Sequence, residues 1–336
     1  MLFQPKRLLV TGGAGFIGAN FIQYMLETYP DVHIINYDKL TYAACLDYLT
    51  PFADSPRYHF TKGDIVDQDV IADLLDKEKI DTIVHFAAES HVDRSIQDPS
   101  AFIQTNLVGT YALLEAARRV FLTKNKWDEK QCRFHHISTD EVFGSLKMTD
   151  AAFTEQTAYA PNSPYSASKA GSDHLVRAYQ HTYQLPTTLS NCSNNYGPFQ
   201  HAEKFIPTVI NACLARKPIP IYNDGRNVRD WLYVVDHCRA IDLILRQGAV
   251  GETYNIGGQA ERQNIEMVHL LCDLVSRALG CQKEVLTNLI QFVKDRPGHD
   301  FRYAIDCEKV ETQLGWQRAY DLNAGLEATV KWYLRK

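Results

Sequence analysis

Short apolar runs alternate with stretches of helical spacing through the first half of the chain. Arg7-Leu8-Leu9-Val10 is apolar and ends at glycines, which predicts a buried strand. From Phe16 to Glu27 the apolar residues Phe16, Ile17, Phe21, Ile22 and Met25 recur at helical spacing. Val32–Tyr37, Tyr58–Lys62, Asp81–Phe86 and Arg133–Ser138 predict four further strands, with helical patterns between them, notably Ala101–Val120. A helix over Tyr165–Tyr183 and a strand over Pro186–Cys192 continue the series. Strands alternating with helices predict an α/β fold with a doubly wound, Rossmann-type parallel sheet and right-handed crossovers. After Tyr196-Gly197-Pro198 the elements shorten and polar and aromatic loops increase. The chain is expected to return to the sheet around Val228–Asn255 and to be mostly helical from Asn264 onward.

Composition narrows the function. The 336 residues are 45% hydrophobic and 22% charged, proportions of an ordinary globular protein with a sizeable core. A formal net charge of -5 argues against a nucleic-acid footprint, and no apolar run is long enough for a membrane span. Eight scattered cysteines without a CxxC pair read as free thiols of a cytoplasmic protein. Met1–Val10 runs straight into a glycine motif, which argues against a secretory signal. Twelve histidines without an HxxxH pair give no metal site.

Three clusters carry chemistry. Thr11-Gly12-Gly13-Ala14-Gly15-Phe16-Ile17-Gly18 places GxxGxxG between a strand and a helix. Gly12 permits the tight turn, Gly15 the approach of a pyrophosphate and Gly18 close helix packing, while the helix N-terminus offers amides to phosphate. Asp38 ends the second strand about 20 residues further on, where a ribose-binding acid belongs and where a carboxylate repels a 2'-phosphate. NAD+ is therefore the expected cofactor rather than NADP. Asp64-Ile65 follows the third strand, and Ala87-Ala88 offers small side chains beside the cofactor. In Ser163-Pro164-Tyr165-Ser166-Ala167-Ser168-Lys169, Ser163 is expected to cap a helix starting at Pro164. Tyr165 and Lys169 then share one face, and the ammonium is expected to lower the phenol pKa from about 10. Asp140 and Glu141 follow the fifth strand with Thr139 beside them. Adjacent carboxyls disfavour double ionisation and so offer an acid next to a base.

With Asp38-Lys39-Leu40-Thr41, Ala87-Ala88-Glu89-Ser90-His91-Val92-Asp93-Arg94-Ser95, Ser138-Thr139-Asp140-Glu141-Val142, Asn191-Cys192-Ser193-Asn194-Asn195-Tyr196-Gly197-Pro198, Arg229-Asp230-Trp231-Leu232-Tyr233 and Asp295-Arg296-Pro297-Gly298-His299, the chain closely resembles the dTDP-glucose 4,6-dehydratases of the extended short-chain dehydrogenase/reductase family. The resemblance runs nearly end to end. It implies an NAD-dependent hydro-lyase converting dTDP-glucose to a 4-keto-6-deoxy sugar, with NAD+ tightly held and regenerated each turnover. It implies Thr139 and Tyr165 at the C4 hydroxyl, Lys169 supporting Tyr165, Glu141 removing the C5 proton and Asp140 protonating the departing C6 hydroxyl. Gly12, Gly15, Phe16, Ile17, Gly18, Asp38, Lys39, Leu40, Thr41, Asp64, Ile65, Ala87, Ala88, Ser90, Thr105, Tyr165, Lys169 and Asn195 match cofactor contacts. His91, Thr139, Asn194, Lys204, Phe205, Pro220, Tyr222, Arg229, Asn264, Arg296 and His299 match substrate contacts. A homodimer through helices around Ala101–Val120 and Tyr165–Tyr183 is also implied.

The expected division is residues 1–197 plus roughly 228–258 for the NAD-binding Rossmann domain, and 198–227 plus roughly 259–336 for the nucleotide-sugar domain. Phe143, Ala44-Cys45 and Asn223-Asp224-Gly225 depart from the family pattern and leave the nucleotide preference open. Two other functions remain at this stage. A nucleotide-sugar 4-epimerase would return hydride to C4 and conserve mass; a non-catalytic NAD-binding regulator would need none of Tyr165, Lys169, Asp140 and Glu141.

Overall fold

The computed structural model describes residues 3–335; Met1, Leu2 and Lys336, at the outer ends of the expected domain segments, lie outside the described residues. In chain order the strands are β1 (Arg7–Thr11), β2 (His33–Asp38), β3 (Tyr58–Lys62), β4 (Thr82–His85), β5 (Arg133–Thr139) and β6 (Thr187–Cys192). They continue with β7 (Asn194–Tyr196), β8 (Ile219–Tyr222), β9 (Val228–Tyr233), β10 (Thr253–Ile256), β11 (Glu261–Gln263) and β12 (Ile290–Val293). The helices are α1 (Phe16–Thr28), α2 (Gln68–Lys77), α3 (Val92–Gln97), α4 (Ser100–Phe102), α5 (Thr110–Ala117) and α6 (Pro164–Tyr183). The later ones are α7 (Phe205–Ala215), α8 (Val234–Gln247), α9 (Asn264–Leu279), α10 (Lys283–Thr287), α11 (Glu308–Leu314) and α12 (Leu322–Leu334).

Seven strands form one parallel sheet in the order β10-β6-β5-β4-β1-β2-β3. The order reverses between β1 and β4, which opens a crevice at the carboxyl ends of the strands. Helices cover both faces, so β4, β5 and β6 are buried along their whole length. Leu9, Ile83, Phe134 and Leu189 pack with Ile71 of α2, Leu113 of α5 and Val176 of α6. Leu8, Val10, Ile34 and Val84 face Ile22 of α1 and Ile241 of α8.

One expectation is corrected. The strand at Val228 does not rejoin the large sheet; β9 lies between β11, antiparallel, and β7, parallel. Asn194–Tyr196 turns away directly after β6 and recruits β9 as its partner, so only α8 and β10 return. A separate parallel pair joins β8 and β12. Trp231 and Tyr233 sit in the core formed with α7, α9 and α12, and serve packing there.

The helical pattern expected over Ala101–Val120 extends over 100–124, with π-helical turns at Ile103–Gly109 and Arg118–Lys124 flanking α5. Gly109 lies in the first of them against Ile65, whose Cδ1 a Cβ at this glycine would meet at 2.5 Å. Helix α6 begins as its sequence predicts, with Ser163 as N-cap and Pro164 as first residue. Ser166 N donates to Ser163 Oγ at 3.0 Å, and Ser163 N donates to Ser166 Oγ at 3.1 Å. This cap fixes where α6 starts, one residue before Tyr165. Ser163→Ala removes the acceptor of the Ser166 amide and should destabilise the protein by about 1 kcal/mol, read as a lower urea midpoint by circular dichroism; an unchanged midpoint would show that the cap is energetically idle.

Candidate active site

The glycine turn follows β1. Gly12 has φ +70, and a Cβ there would sit 2.6 Å from Ala87 N. A Cβ at Gly18 would sit 2.4 Å from the Gly12 carbonyl oxygen, so this glycine lets α1 close on the turn. Gly15 caps α1 without a side-chain hydrogen bond, which leaves the helix amides directed at the crevice. Asp38 closes the loop: its carboxylate accepts from Ala14 N at 3.0 Å and from Leu40 N at 2.7 Å. Burial pushes the Asp38 carboxyl up, while these two amides pull it back. Leu40 takes a left-handed conformation, φ 58, to let its amide turn inward. Lys39 Nζ reaches Asp64 Oδ2 at 2.5 Å across the ends of β2 and β3.

One cavity gathers most of the expected residues. It is lined by Gly12, Gly15, Phe16, Ile17, Gly18, Asp38, Lys39, Thr41, Asp64, Ile65, Ala87, Ala88, Ser90 and Thr105 at one end. Thr139, Asp140, Glu141, Tyr165, Lys169, Asn194, Asn195 and Lys204 line the other. The glycine cradle, the unencumbered helix terminus and the buried Asp38 carboxyl suit a dinucleotide with free ribose hydroxyls, so the residues fit NAD+.

Tyr165 and Lys169 are both buried and share the inner face of α6. Lys169 Nζ donates to Ile137 O at 2.7 Å and lies 3.4 Å from His136 Nε2. The expected lowering of the phenol pKa does not occur here. Burial, then the charges of Glu141 and Cys192, push Tyr165 well up, and hydrogen bonding to Thr139 opposes them only partly. The i, i+4 spacing put both residues on one face, but desolvation exceeds the influence of an ammonium directed at β5.

Asp140 and Glu141 open a 3-10 turn, Asp140–Phe143, immediately after β5. Thr139 caps it by accepting from Glu141 N at 3.3 Å, and its hydroxyl donates to Asp140 Oδ1 at 3.4 Å. Asp140 Oδ2 is buried without a partner. Burial, then Glu141 and Asp230, hold the Asp140 carboxyl well above its ordinary value. Burial also raises Glu141, but Arg296, Arg229 and Lys204 pull it down. The two neighbours therefore differ in surroundings: Arg229 acts on both, but Glu141 and Asp230 oppose it at Asp140, whereas Arg296 and Lys204 add to it at Glu141.

The remaining expected residues surround this end. Arg229 is buried, donates to Val228 O at 2.7 Å and Asp300 O at 2.9 Å, and lies over the Tyr303 ring. Arg296 NH1 meets Asp93 Oδ1 at 3.3 Å, and Tyr222 donates to the same carboxylate at 3.2 Å. Arg296 Nε is buried and unpartnered. His299 packs edge-on against Tyr222 and hydrogen bonds Asp295; burial, with Arg229 and Arg296, pushes it down to about 4. His91 lies 3.7 Å from Glu203, Lys204 donates to Ser90 O at 2.8 Å, and Phe205 stacks on Trp231. Pro220 is exposed on β8, and Asn264 opens α9 with its backbone amide on Asn227 O; neither lines the cavity, nor do Leu40, His91, Phe205, Tyr222, Arg229, Arg296 and His299. Among the described residues no group of three or more His, Cys, Asp or Glu side chains is placed to hold a metal.

The three departures fall outside the acid-base groups. Phe143 is buried against Phe153 and Tyr159, Cys45 N bonds Ala14 O, and Asn223–Gly225 forms the turn after β8. Polar and thiol groups of the site that were not singled out from sequence include Cys192, Glu203, His136 and Asp173. Cys192 and Glu203 line the cavity, and His136 and Asp173 are fully buried behind Lys169. Asp173 carried a usable signal, since it lies one helical turn beyond Lys169.

A family profile described as GDP-mannose 4,6 dehydratase matches residues 9–329. The dTDP-glucose 4,6-dehydratase of Haemophilus influenzae is 51% identical over 330 residues, covering 97% of each chain. DesIV, a dTDP-glucose 4,6-dehydratase of Streptomyces venezuelae solved with NAD bound, superposes with a TM-score of 0.88 at 44% identity, covering 98% of this chain and 97% of that one. A UDP-glucuronic acid 4-epimerase of Bacillus cereus has a TM-score of 0.86 at 27% identity, covering 98% and 99%.

The raised Asp140 carboxyl has a cost at neutral pH. An aspartic acid is half-ionised at about pH 3.9 in an unfolded chain and only at higher pH here. Its contribution to stability is therefore present at acid pH and lost as pH rises above the unfolded value. Asp140→Asn should melt at a higher temperature than the parent at neutral pH, with the gain closing toward pH ~4. A variant no more stable than the parent at neutral pH would contradict this environment for Asp140.

Proposed function

The chain belongs to the GDP-mannose 4,6 dehydratase family, and from that premise we propose that its substrate is dTDP-glucose and that Asp140 and Glu141 carry out the elimination. It is a nucleotide-sugar 4,6-dehydratase, an NAD-dependent hydro-lyase on a Rossmann-type α/β fold. The glycine turn, Asp38, Asp64, Ile65, Ala88, Ser90, Thr105, Lys169 and Asn195 would hold NAD+. The chemistry that NAD+ supplies when bound is a hydride acceptor for C4 and later a hydride donor for C6.

Tyr165 in its ionised form, which burial disfavours and the hydrogen bond with Thr139 favours, accepts the C4 hydroxyl proton, and Thr139 orients that hydroxyl. The resulting C4 ketone acidifies the C5 proton α to it. Glu141 takes this proton, helped by Arg296, Arg229 and Lys204, which favour its ionised form before transfer. Asp140, held protonated, delivers its proton to the C6 hydroxyl, which leaves as water. Glu141 then returns a proton to C5, giving the 4-keto-6-deoxy sugar. The observation that carries this reading is the unlike environment of two adjacent carboxyls beside Tyr165 and Lys169. A 4-epimerase has no use for such a pair, although the epimerase superposition shows how much of the fold would serve both reactions.

We also assign residues 1–197 plus roughly 228–258 to cofactor binding and 198–227 plus roughly 259–336 to the sugar nucleotide. The buried Arg229 and the half-buried Arg296 suit a diphosphate at that end. A homodimer through 100–124 and α6 is supported by Ile103, Val108, Tyr111 and Tyr183, large apolar side chains exposed there. Among the described residues no helix is long and apolar enough to cross a membrane. The eight free cysteines support a reducing, cytoplasmic setting.

Purified protein should convert dTDP-glucose, without added reductant, to a product lighter by one water; a panel with UDP-, CDP- and GDP-hexoses read by mass spectrometry tests the nucleotide. Loss of mass with none of them would remove the dehydratase reading. Glu141→Gln should keep substrate-dependent reduction of NAD+ but slow water loss by ~10²–10⁴-fold. Elimination at the parent rate would reassign the base.

A further inference from the structure

Behind Lys169 lies a set of fully buried polar groups that the reaction scheme leaves unused. Asp173 follows Lys169 by one turn of α6 and is completely enclosed. Its Oδ2 accepts from Ser138 Oγ at 2.7 Å and from Tyr159 OH at 2.9 Å, while Oδ1 lies 3.2 Å from His136 Nε2. Tyr159 accepts in turn from Arg177 at 2.9 Å. Lys169 Nζ is held at Ile137 O and beside the same His136 Nε2. Ser138 directly precedes Thr139, Asp140 and Glu141. Asp173 thus ties the helix bearing Tyr165 and Lys169 to the strand end bearing the carboxyls.

A buried carboxylate costs stability unless a charge and hydrogen bonds offset its desolvation. Four side chains act on the charge of Lys169 from the elements around it. His85 comes from β4, His136 from β5, Cys192 from β6 and Asp173 from α6 itself. Burial holds both imidazoles neutral and pushes the Cys192 thiol up to about 12. Asp173 is the carboxylate among them; burial pushes its carboxyl up, and Lys169, Ser138, Tyr159 and Arg177 oppose that rise. Asp173 favours the ammonium against a burial that lowers the Lys169 pKa.

We propose that Asp173 is a positioning residue: it supplies the counter-charge of Lys169 and, through Ser138, keeps the Tyr165/Lys169 pair in register with Asp140 and Glu141. The proposal rests on the functional reading above, in which charged Lys169 holds NAD+. Replacing the carboxylate by a neutral group of the same shape leaves burial unopposed. Lys169 then loses its proton at lower pH, and whatever requires the ammonium fails earlier on the alkaline side.

The test is Asp173→Asn in the full chain, with two readouts. The alkaline limb of kcat/KM for dTDP-glucose and that of NAD+ binding, followed by tryptophan fluorescence, should both move down by about 1–3 pH units. KM should change far less than kcat. Alkaline limbs that stay in place, with or without a loss of rate, overturn the proposal, because a merely structural residue would leave them unmoved. Should this variant not fold, the double variant Ser138→Ala/Tyr159→Phe strips the hydrogen bonds from Asp173 and should raise the pH at which activity is lost on the acid side; an unmoved acid limb also overturns it. Absence of dehydration by the parent protein would defeat the functional reading instead, while the NAD+ titration would still report on Asp173.

Discussion

Desolvation at the end of β5 disfavours the charged form of Asp140, and the adjacent Glu141 disfavours it again. Asp140 is buried and Glu141 partly so, and the surroundings treat the two groups differently. Arg296, Arg229 and Lys204 act on Glu141, whereas Asp230 and Glu141 itself act against ionisation of Asp140. The cations come from the loop after β12, from β9 and from the residue before α7. The second half of the chain thus supplies the cations behind the electrostatic asymmetry of the two carboxyls. Its β7-β9-β11 sheet and the bridge between Val228 and Arg302 set where those cations lie.

The parallel sheet supplies the other condition. All the chemistry lies just beyond carboxyl ends of strands: the glycine turn after β1, Asp38 at the end of β2, Ala87-Ala88 after β4, the carboxyl pair after β5 and Asn194-Asn195 after β6. Parallel pairing forces these ends to one side, and the reversal of strand order between β1 and β4 leaves the space between them. The interior of β5 is unusually polar for a central strand. His135 bonds Thr188 and Ser190, while His136 faces Lys169, Ser172 and Asp173. These contacts fix strand and helix by directional bonds where apolar packing would tolerate sliding.

Local chemistry made several elements legible in advance. The glycine turn, the cap at Ser163, the start of α6 at Pro164 and the first six strands follow from short-range geometry that side-chain type dictates. β9 was misplaced because a fully buried strand reads the same in either sheet, and its partner β7 is three residues long. The sense of the Tyr165 shift was misread for a related reason: spacing reveals a neighbouring charge but not the depth of burial around it.

The sequence by itself determined the glycine turn after β1, the acid that closes it, the helical pairing of Tyr165 with Lys169, and the adjacent carboxyls after β5. Each depends on residues close along the chain, whose relative positions a turn or a helix sets. Only the tertiary structure decided how the surroundings of Asp140 and Glu141 differ, where the Lys169 ammonium is anchored, and that Asp173 is buried beside His136 behind it. Those outcomes depend on charges brought together across the fold and on the exclusion of water around them, and neither is encoded in local spacing.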